Sequence, residues 1–342
     1  MKKPKILITP TSLCKNTAFL EKISQKADTV INTKGRPLSE DELVPLVGDI
    51  DGYLAGLDDI TGNVIRNAKK LRVISRYGVG FERVDISEAG KRGIVVTNTP
   101  GANTQSVADL AFSLILASAR MIPALNSDVK SGGWSRKNGR EIYKKTLGII
   151  GLGAIGKALA VRAKGFDMCV VAYDPFVDGT WAESNGIRIS ALDELIRESD
   201  IISLHVPHNE QTHNIINRER IAAMKDGVII INTSRGGLID EDAAADYVES
   251  GKIYGLYILH PNNIGRCGID AFEAEPPRPH RLYSFENVIT TPHSGAHTGE
   301  AVEAMMQMST DNLFAVLEGR HGSEKYIVNK KYLNKTDCEK QI

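Results

Sequence analysis

"TLGIIGLGAIGKALA", residues 146–160, is a short apolar run that breaks into Gly151, Gly153 and Gly156 and then turns helical. A GxGxxG pattern alone is weak, because glycines also make ordinary tight turns. Its setting is more specific: a strand precedes it, a helix opens on it, and a second strand ends in "VAYDP", with Asp174 lying 18 residues beyond Gly156. In such a unit Gly151 permits the turn, Gly153 lets the backbone approach a pyrophosphate, and Gly156 packs helix on strand, while the helix N-terminus stabilises the anion. Asp174 would accept hydrogen bonds from the adenosine ribose and repel a 2′-phosphate, and no arginine follows at once in "DPFVDG". The unit therefore reads as a site for NAD rather than NADP. The other reading of Asp174 is a strand-end turn residue ahead of Pro175.

Outward from that stretch, short β-branched runs alternate with helical patterns almost from end to end. Before it lie "KILIT", "DTVIN", "GYLAG", "LRVIS" and "GIVVTN"; after it come "CVVAYDP", "DIISLHV", "GVIIINTS", "GIDAF" and "NVITTPH". Repeated βα units predict doubly wound parallel sheets. The two series are separated by "NTPGANTQSVADLAFSLILASARMIPALNSDVKSGGW", in which Val107, Leu110, Ala111, Leu114 and Ala117 share one helical face. The apolar stretch Leu110–Ala119 calls for burial, either in a core or in a dimer face. The fold class is α/β, with two doubly wound parallel-sheet domains. Residues 1–100 and 297–330 form a flavodoxin-like substrate domain, residues 101–296 a Rossmann domain for NAD, and residues 331–342 a C-terminal tail. The first domain is discontinuous because the last helical pattern, "GEAVEAMMQMSTDNLFAVLEG", follows all the strands and is free to return to it.

At 342 residues, 42% of them hydrophobic, the chain can fill two cores. Lysine plus arginine balances aspartate plus glutamate at 42 each, so no global field draws the chain onto nucleic acid or an anionic membrane. A small soluble ligand fits better. The opening "MKKPKILITP" has too short an apolar run for a signal peptide, and "LAFSLILASA" is too short to span a bilayer, so a cytoplasmic protein is expected. Cys14, Cys169, Cys267 and Cys338 lack paired spacing and read as reduced thiols. The histidines, including His280, lack ligand spacing, and no metal site is expected.

In open α/β sheets ligands bind beyond the carboxyl ends of the strands. "GVIIINTSRGGLID" delivers Arg235 there, "GIDAFEAEPP" delivers Asp270 and Glu275, and "NVITTPHSGAH" delivers His293. Reduction of a 2-keto acid requires those groups: a guanidinium for the carboxylate, an acid to protonate the carbonyl oxygen, and a carboxylate to keep that acid charged. Glu275 beside His293 would favour imidazolium and let one pair donate or accept a proton. Each residue also has an ordinary reading, as a surface ion-pair arginine, a turn glutamate before Pro276 or a loop histidine. Their joint occurrence after three strands of one nucleotide fold outweighs those readings.

"SRYGVGFERVD", "GLGAIGKALA", "YDP", "NTSRGGLID", "DAFEAEPP" and "TPHSGAHTGEA" together resemble the D-isomer-specific 2-hydroxyacid dehydrogenases, particularly the phosphoglycerate dehydrogenase and hydroxypyruvate reductase branch. The resemblance runs to about residue 330. It implies a homodimer built around the cofactor domains and assigns catalysis to Arg235, Glu275 and His293. It also places nicotinamide and substrate carboxylate near the backbone of Val79 and Gly80, and pyrophosphate at Ala154 and Ile155. Val206, Pro207, Thr233, Asp270, Ser294, Gly295 and Ala296 complete the implied cofactor contacts. The implied substrate is 3-phosphoglycerate or the hydroxypyruvate/D-glycerate pair. Animal-type phosphoglycerate dehydrogenases carry an arginine and a serine in the loop after the third strand; here Gly56 and Leu57 stand there, followed by Asp58 and Asp59. Those carboxylates would repel a phosphate if they faced it, leaving Arg76 as an anion contact. An NADH-sensing binding protein and a phosphite-type dehydrogenase are the alternatives on this scaffold. Formate enzymes of this kind have glutamine where Glu275 stands.

One stretch departs from the pattern. "GKIYGLYILHPNNIGRCGIDAFEAEPP" separates helix from strand by far more than the usual loop of about 2–6 residues. Omitting Tyr257–Cys267 restores an uninterrupted sequence, so those eleven residues read as an insertion at the amino end of "GIDAF". The alternative makes "YGLYIL" the strand and carries Glu275 away from His293.

Overall fold

The computed structural model describes residues 3–177, 179–253, 264–320 and 324–333. They divide into two compact units, residues 1–103 with 298–342 and residues 104–297.

The first unit holds five strands: β1 (Lys5–Ile8), β2 (Asp28–Ile31), β3 (Gly52–Ala55), β4 (Val73–Arg76) and β5 (Val95–Thr97). They pair in parallel in the order β2-β1-β3-β4-β5, a flavodoxin-like winding. Strands covered on both faces are predominantly apolar; β3 and β4 are buried at every position, the polar Ser75 and Arg76 of β4 included. The long helix Gly299–Glu318, capped by Thr298 through the Ala301 N–H, packs on β3, β4 and β5. The short turn Lys330–Tyr332, in the segment read as the start of a tail, lies against helix Ile86–Lys91, so close that Gly90 has no room for a Cβ beside Tyr332.

The second unit holds β6 (Thr146–Ile150), β7 (Cys169–Tyr173), β8 (Arg188–Ile189), β9 (Ile201–Leu204), β10 (Val228–Asn232), β11 (Ile264–Ile269) and β12 (Val288–Thr290). Their order is β12-β11-β10-β9-β6-β7-β8, again wholly parallel. This is the Rossmann winding, extended by one strand. Helix Thr104–Arg120 buries Val107, Ala111, Leu114 and Ile115 and packs on β10, β11 and helix Ala154–Ala163, so its apolar face is core. A sharper exposed apolar surface follows it: Ile122 and Val129 on helix Ile122–Lys130, and Trp134 beyond, which is 77% exposed. No single described helix is long and apolar enough to cross a membrane.

The insertion read as Tyr257–Cys267 is corrected at its carboxyl end. Arg266 and Cys267 pair with Ile229 and Ile230 of β10, and Cys267 also pairs with Val288, so Ile264–Cys267 are strand, not insert. The ladder slips by one residue between Val228 and Ile229, placing Gly265 out of register. Cys267 is buried, and burial pushes its thiol up to about 12. Residues 257–263, and the rival strand "YGLYIL", lie outside the described residues.

Candidate active site

The glycine stretch closes β6 onto helix Ala154–Ala163. Gly151 has φ +99°, and a Cβ there would lie 2.5 Å from the His205 carbonyl oxygen. A Cβ on Gly156 would lie 2.2 Å from the Gly151 oxygen. Gly153 differs: nothing lies within 4 Å of its Cβ direction, and it starts the helix with no side-chain cap. The N–H groups at Ala154 and Ile155 thus open the helix without a capping side chain, an arrangement suited to a pyrophosphate. Asp174 follows β7; its Oδ2 accepts the Leu152 N–H at 2.8 Å and its Oδ1 the Phe176 N–H at 2.8 Å. The carboxylate therefore braces the glycine loop and retains lone pairs for ribose hydroxyls.

Beyond β9 and β10 the chain delivers Val206, Pro207 and Thr233. The Thr233 hydroxyl and the His205 Nδ1 are buried without a hydrogen-bond partner, polar atoms that a ligand at this edge could satisfy. Burial lowers the His205 imidazole to about 4, so it stays neutral. Ser234 donates to the Val206 oxygen at 2.6 Å, and Asn232 Nδ2 donates to the Arg235 oxygen at 2.7 Å. These bonds fix the turn that presents Arg235, whose Nη1 donates to the Ser234 oxygen.

Asp270 leaves the end of β11 and is 1% exposed. Its Oδ1 accepts from the Ser294 N–H at 2.7 Å and the Thr291 hydroxyl at 2.6 Å, and its Oδ2 from the Gly295 N–H at 2.9 Å. The carboxylate thus fastens the loop that carries His293, while Ser106 holds the Gly295 oxygen and Ala296 continues the loop. His293 itself has φ +50°, a left-handed backbone that costs energy outside glycine and is tolerated where surroundings enforce it. Its Nδ1 donates to Glu275 Oε1 at 2.7 Å, so Nε2 lies on the ring edge away from that bond. That hydrogen bond raises the imidazole pKa above its ordinary value; burial opposes it, the charges of Glu275 and Asp270 add to it, and nearby Arg235 opposes it. Arg235, Glu275 and His293 are therefore electrostatic neighbours in one unit.

Gly236 explains how the two loops meet. A Cβ there would lie 2.1 Å from the Glu273 nitrogen and 2.1 Å from the Phe272 carbonyl carbon. The residue after Arg235 thus touches the backbone leading to Glu275, a contact with no signature in linear sequence.

In the first unit the Tyr77–Gly80 loop is held by its carbonyls. Asn98 Nδ2 donates to the Val79 oxygen at 2.8 Å, and Arg76 Nε to the Gly80 oxygen at 3.0 Å. Arg76, read as an anion contact, is 3% exposed and also donates to the Ala55 oxygen; its observed work is to support this loop. Of the two carboxylates that would repel a phosphate if they faced it, Asp58 does not face outward. Asp58 is fully buried, accepting from the Leu38 N–H at 2.7 Å, the Tyr53 hydroxyl, the Gly56 N–H and the Thr9 hydroxyl. Asp59 pairs with Arg83 at 2.7 Å. Among the described residues no group of three or more His, Cys, Asp or Glu is placed to hold a metal.

The family model for the D-isomer-specific 2-hydroxyacid dehydrogenase NAD-binding domain matches residues 112–295. A hydroxypyruvate reductase of Thermotoga maritima is 44% identical over 270 residues, covering 77% of this chain and 84% of the relative. A D-3-phosphoglycerate dehydrogenase of Methanocaldococcus jannaschii is 42% identical over 286 residues, covering 82% of this chain and 52% of the relative; the chain thus spans about half that protein's length. The crystal structure of a D-lactate dehydrogenase from Aquifex aeolicus, complexed with NAD and lactic acid, is similar with a TM-score of 0.82 at 28% identity, over 95% of this chain and 99% of that one.

Proposed function

The chain belongs to the D-isomer-specific 2-hydroxyacid dehydrogenases and uses NAD, and from that premise we propose that it reduces hydroxypyruvate to D-glycerate, with the 3-phosphoglycerate couple as the alternative. The observation that carries the reading is the 2.7 Å bond from His293 to Glu275 beside Arg235. One feature favours the unphosphorylated acid: Gly56 and Leu57 supply no cation after β3.

Arg235 presents a planar fork that matches a carboxylate and aligns the neighbouring carbonyl. The glycine loop, the helix N-terminus and Asp174 would hold NADH, which when bound would supply a hydride to the carbonyl carbon. His293 gives its Nε2 proton to the carbonyl oxygen and is reprotonated from solvent, while Glu275 stabilises the imidazolium. In oxidation the neutral imidazole takes the hydroxyl proton instead. Asp270 keeps the loop registered, so the acid does not have to be ordered during the reaction.

The test is steady-state reduction of glyoxylate, pyruvate, hydroxypyruvate and phosphohydroxypyruvate with NADH and with NADPH. Hydroxypyruvate with NADH should give the highest kcat/KM. A preference for phosphohydroxypyruvate of about ten-fold or more, equivalent to about 1.4 kcal/mol of transition-state binding, overturns the choice. NADH binding without turnover of any of these acids would favour the sensing protein. We also propose a homodimer, supported by the exposed Ile122, Val129 and Trp134; light scattering that returns the monomer mass at micromolar concentration counts against it.

A further inference from the structure

We propose that Tyr283 is a positioning residue for the His293–Glu275 proton-transfer pair, anchored for that purpose by Glu241. The inference rests on that pair being the acid–base group. Tyr283 lies on the turn Arg281–Ser284 that ends the Glu275 loop, and its hydroxyl donates to Glu241 Oε2 at 2.6 Å, a charge-assisted bond across 42 residues of sequence. Glu241 is the first residue of helix Glu241–Ile253, which follows the Arg235 turn. The Tyr283 ring meets the Phe272 ring edge to face, with centroids 5.3 Å apart and an interplanar angle of 90°. Phe272 in turn donates its N–H to Glu275 Oε1 at 3.4 Å, the same oxygen that accepts from His293. A continuous set of contacts therefore runs from the start of helix Glu241–Ile253 through two aromatic rings to the carboxylate that charges the imidazole.

The phenol keeps its proton. Burial, followed by the bond to Glu241, raises the phenol's pKa, so Tyr283 remains a donor; burial also raises the Glu241 carboxyl. The other titratable groups facing them are Glu273, Asp242 and His280, whose ring lies 5.6 Å from Tyr283. Arg281 ties the same turn to Asp246 and to Glu249 of the helix, so the turn stays attached when the aromatic contact alone is removed. This separates aim from attachment.

The experiment compares Tyr283→Leu, Tyr283→Phe and Glu275→Gln in the full chain. Each is followed by NADH affinity, by the pH dependence of kcat in reduction and by NMR titration of His293. Tyr283→Leu should lower kcat about ten-fold, as for a displacement of somewhat less than 1 Å, and leave the NADH Kd within about two-fold. It should also move both the falling limb of the pH profile and the imidazole titration to lower pH. Tyr283→Phe, which keeps the ring and loses the anchor, should move both in the same direction by less. A folded Tyr283→Leu with an unmoved limb and titration overturns the proposal, whatever its melting temperature. Should it fail to fold, an unmoved limb in Tyr283→Phe does the same. Glu275→Gln separates the two levels: if it shifts the titration and the tyrosine variants do not, the role of Tyr283 fails. If Glu275→Gln itself shifts nothing, the acid–base assignment fails.

Discussion

Replacing Gly236 by alanine tests how the arginine is brought to the proton-transfer pair. The added methyl would meet the Phe272–Glu273 peptide, which is backbone and cannot rotate aside. The peptide must retreat by about 1.3 Å, from 2.1 Å out to the 3.4 Å at which ordinary contact begins. Overpacking of this kind costs about 1–3 kcal/mol of stability, which a two-unit chain with continuous cores should survive. The catalytic cost is larger, because a displacement of about 1 Å between groups that must act together lowers turnover on the order of 10²-fold. Loss should therefore appear in kcat for hydroxypyruvate, with NADH affinity nearly intact, because the glycine loop lies elsewhere on the sheet. Thermal unfolding and NADH fluorescence separate a misplaced loop from a damaged unit. A folded Gly236→Ala enzyme with kcat within two-fold of the parent refutes the argument that this contact sets the distance.

Gly153→Ala should behave in the opposite way: nothing lies within 4 Å of its Cβ direction, so the melting temperature should hold while the NADH Kd rises, as measured by fluorescence titration. Asp174→Ala should weaken NADH and narrow its advantage over NADPH, because a charge repelling the 2′-phosphate is removed; the ratio of the two Kd values reads this. Arg235→Lys should raise KM for the 2-keto acid with NADH binding preserved, since an ammonium cannot reproduce a forked contact. On the proposed mechanism, His293 must be protonated for the parent enzyme to reduce its substrate. With its pKa raised chiefly by the bond to Glu275, kcat should be flat below that raised value and fall as pH climbs through it. The stabilising contribution of the pair has the same sign, present below the unfolded imidazole's pKa and lost as pH rises through the folded one.

Much of this molecule was legible because strands buried on both faces leave uninterrupted apolar runs, and because Arg235, Glu275 and His293 each follow one of those runs. β8 was missed for the converse reason: its two residues, Arg188 and Ile189, are both exposed and carry no apolar pattern. The onset of β11 was misplaced because glycine and arginine in "IGRC" have no strand signal of their own; pairing with β10 makes them strand. The burial of Asp58 has no signal in "GLDDIT"; donors from the remote Thr9 and Leu38, with Tyr53 five residues away, make it a core residue. The partnership of Tyr283 with Glu241, and of Gly236 with the Phe272–Glu273 peptide, likewise depends on loops meeting in space.

The concealed thiol of Cys267 has a use as a clock. Alkylation needs the thiolate, and this sulfur is both shielded from solvent and held largely protonated, with its pKa pushed up to about 12. It can be labelled only when β11 leaves its neighbours, β10 and β12. The labelling rate thus measures how often the strand that ends at Asp270 opens, and the exposed Cys169 provides an internal standard on the same chain. Ligands that tighten the Asp270-fastened loop should slow the first reaction and leave the second unchanged, giving a readout of site closure that needs no turnover.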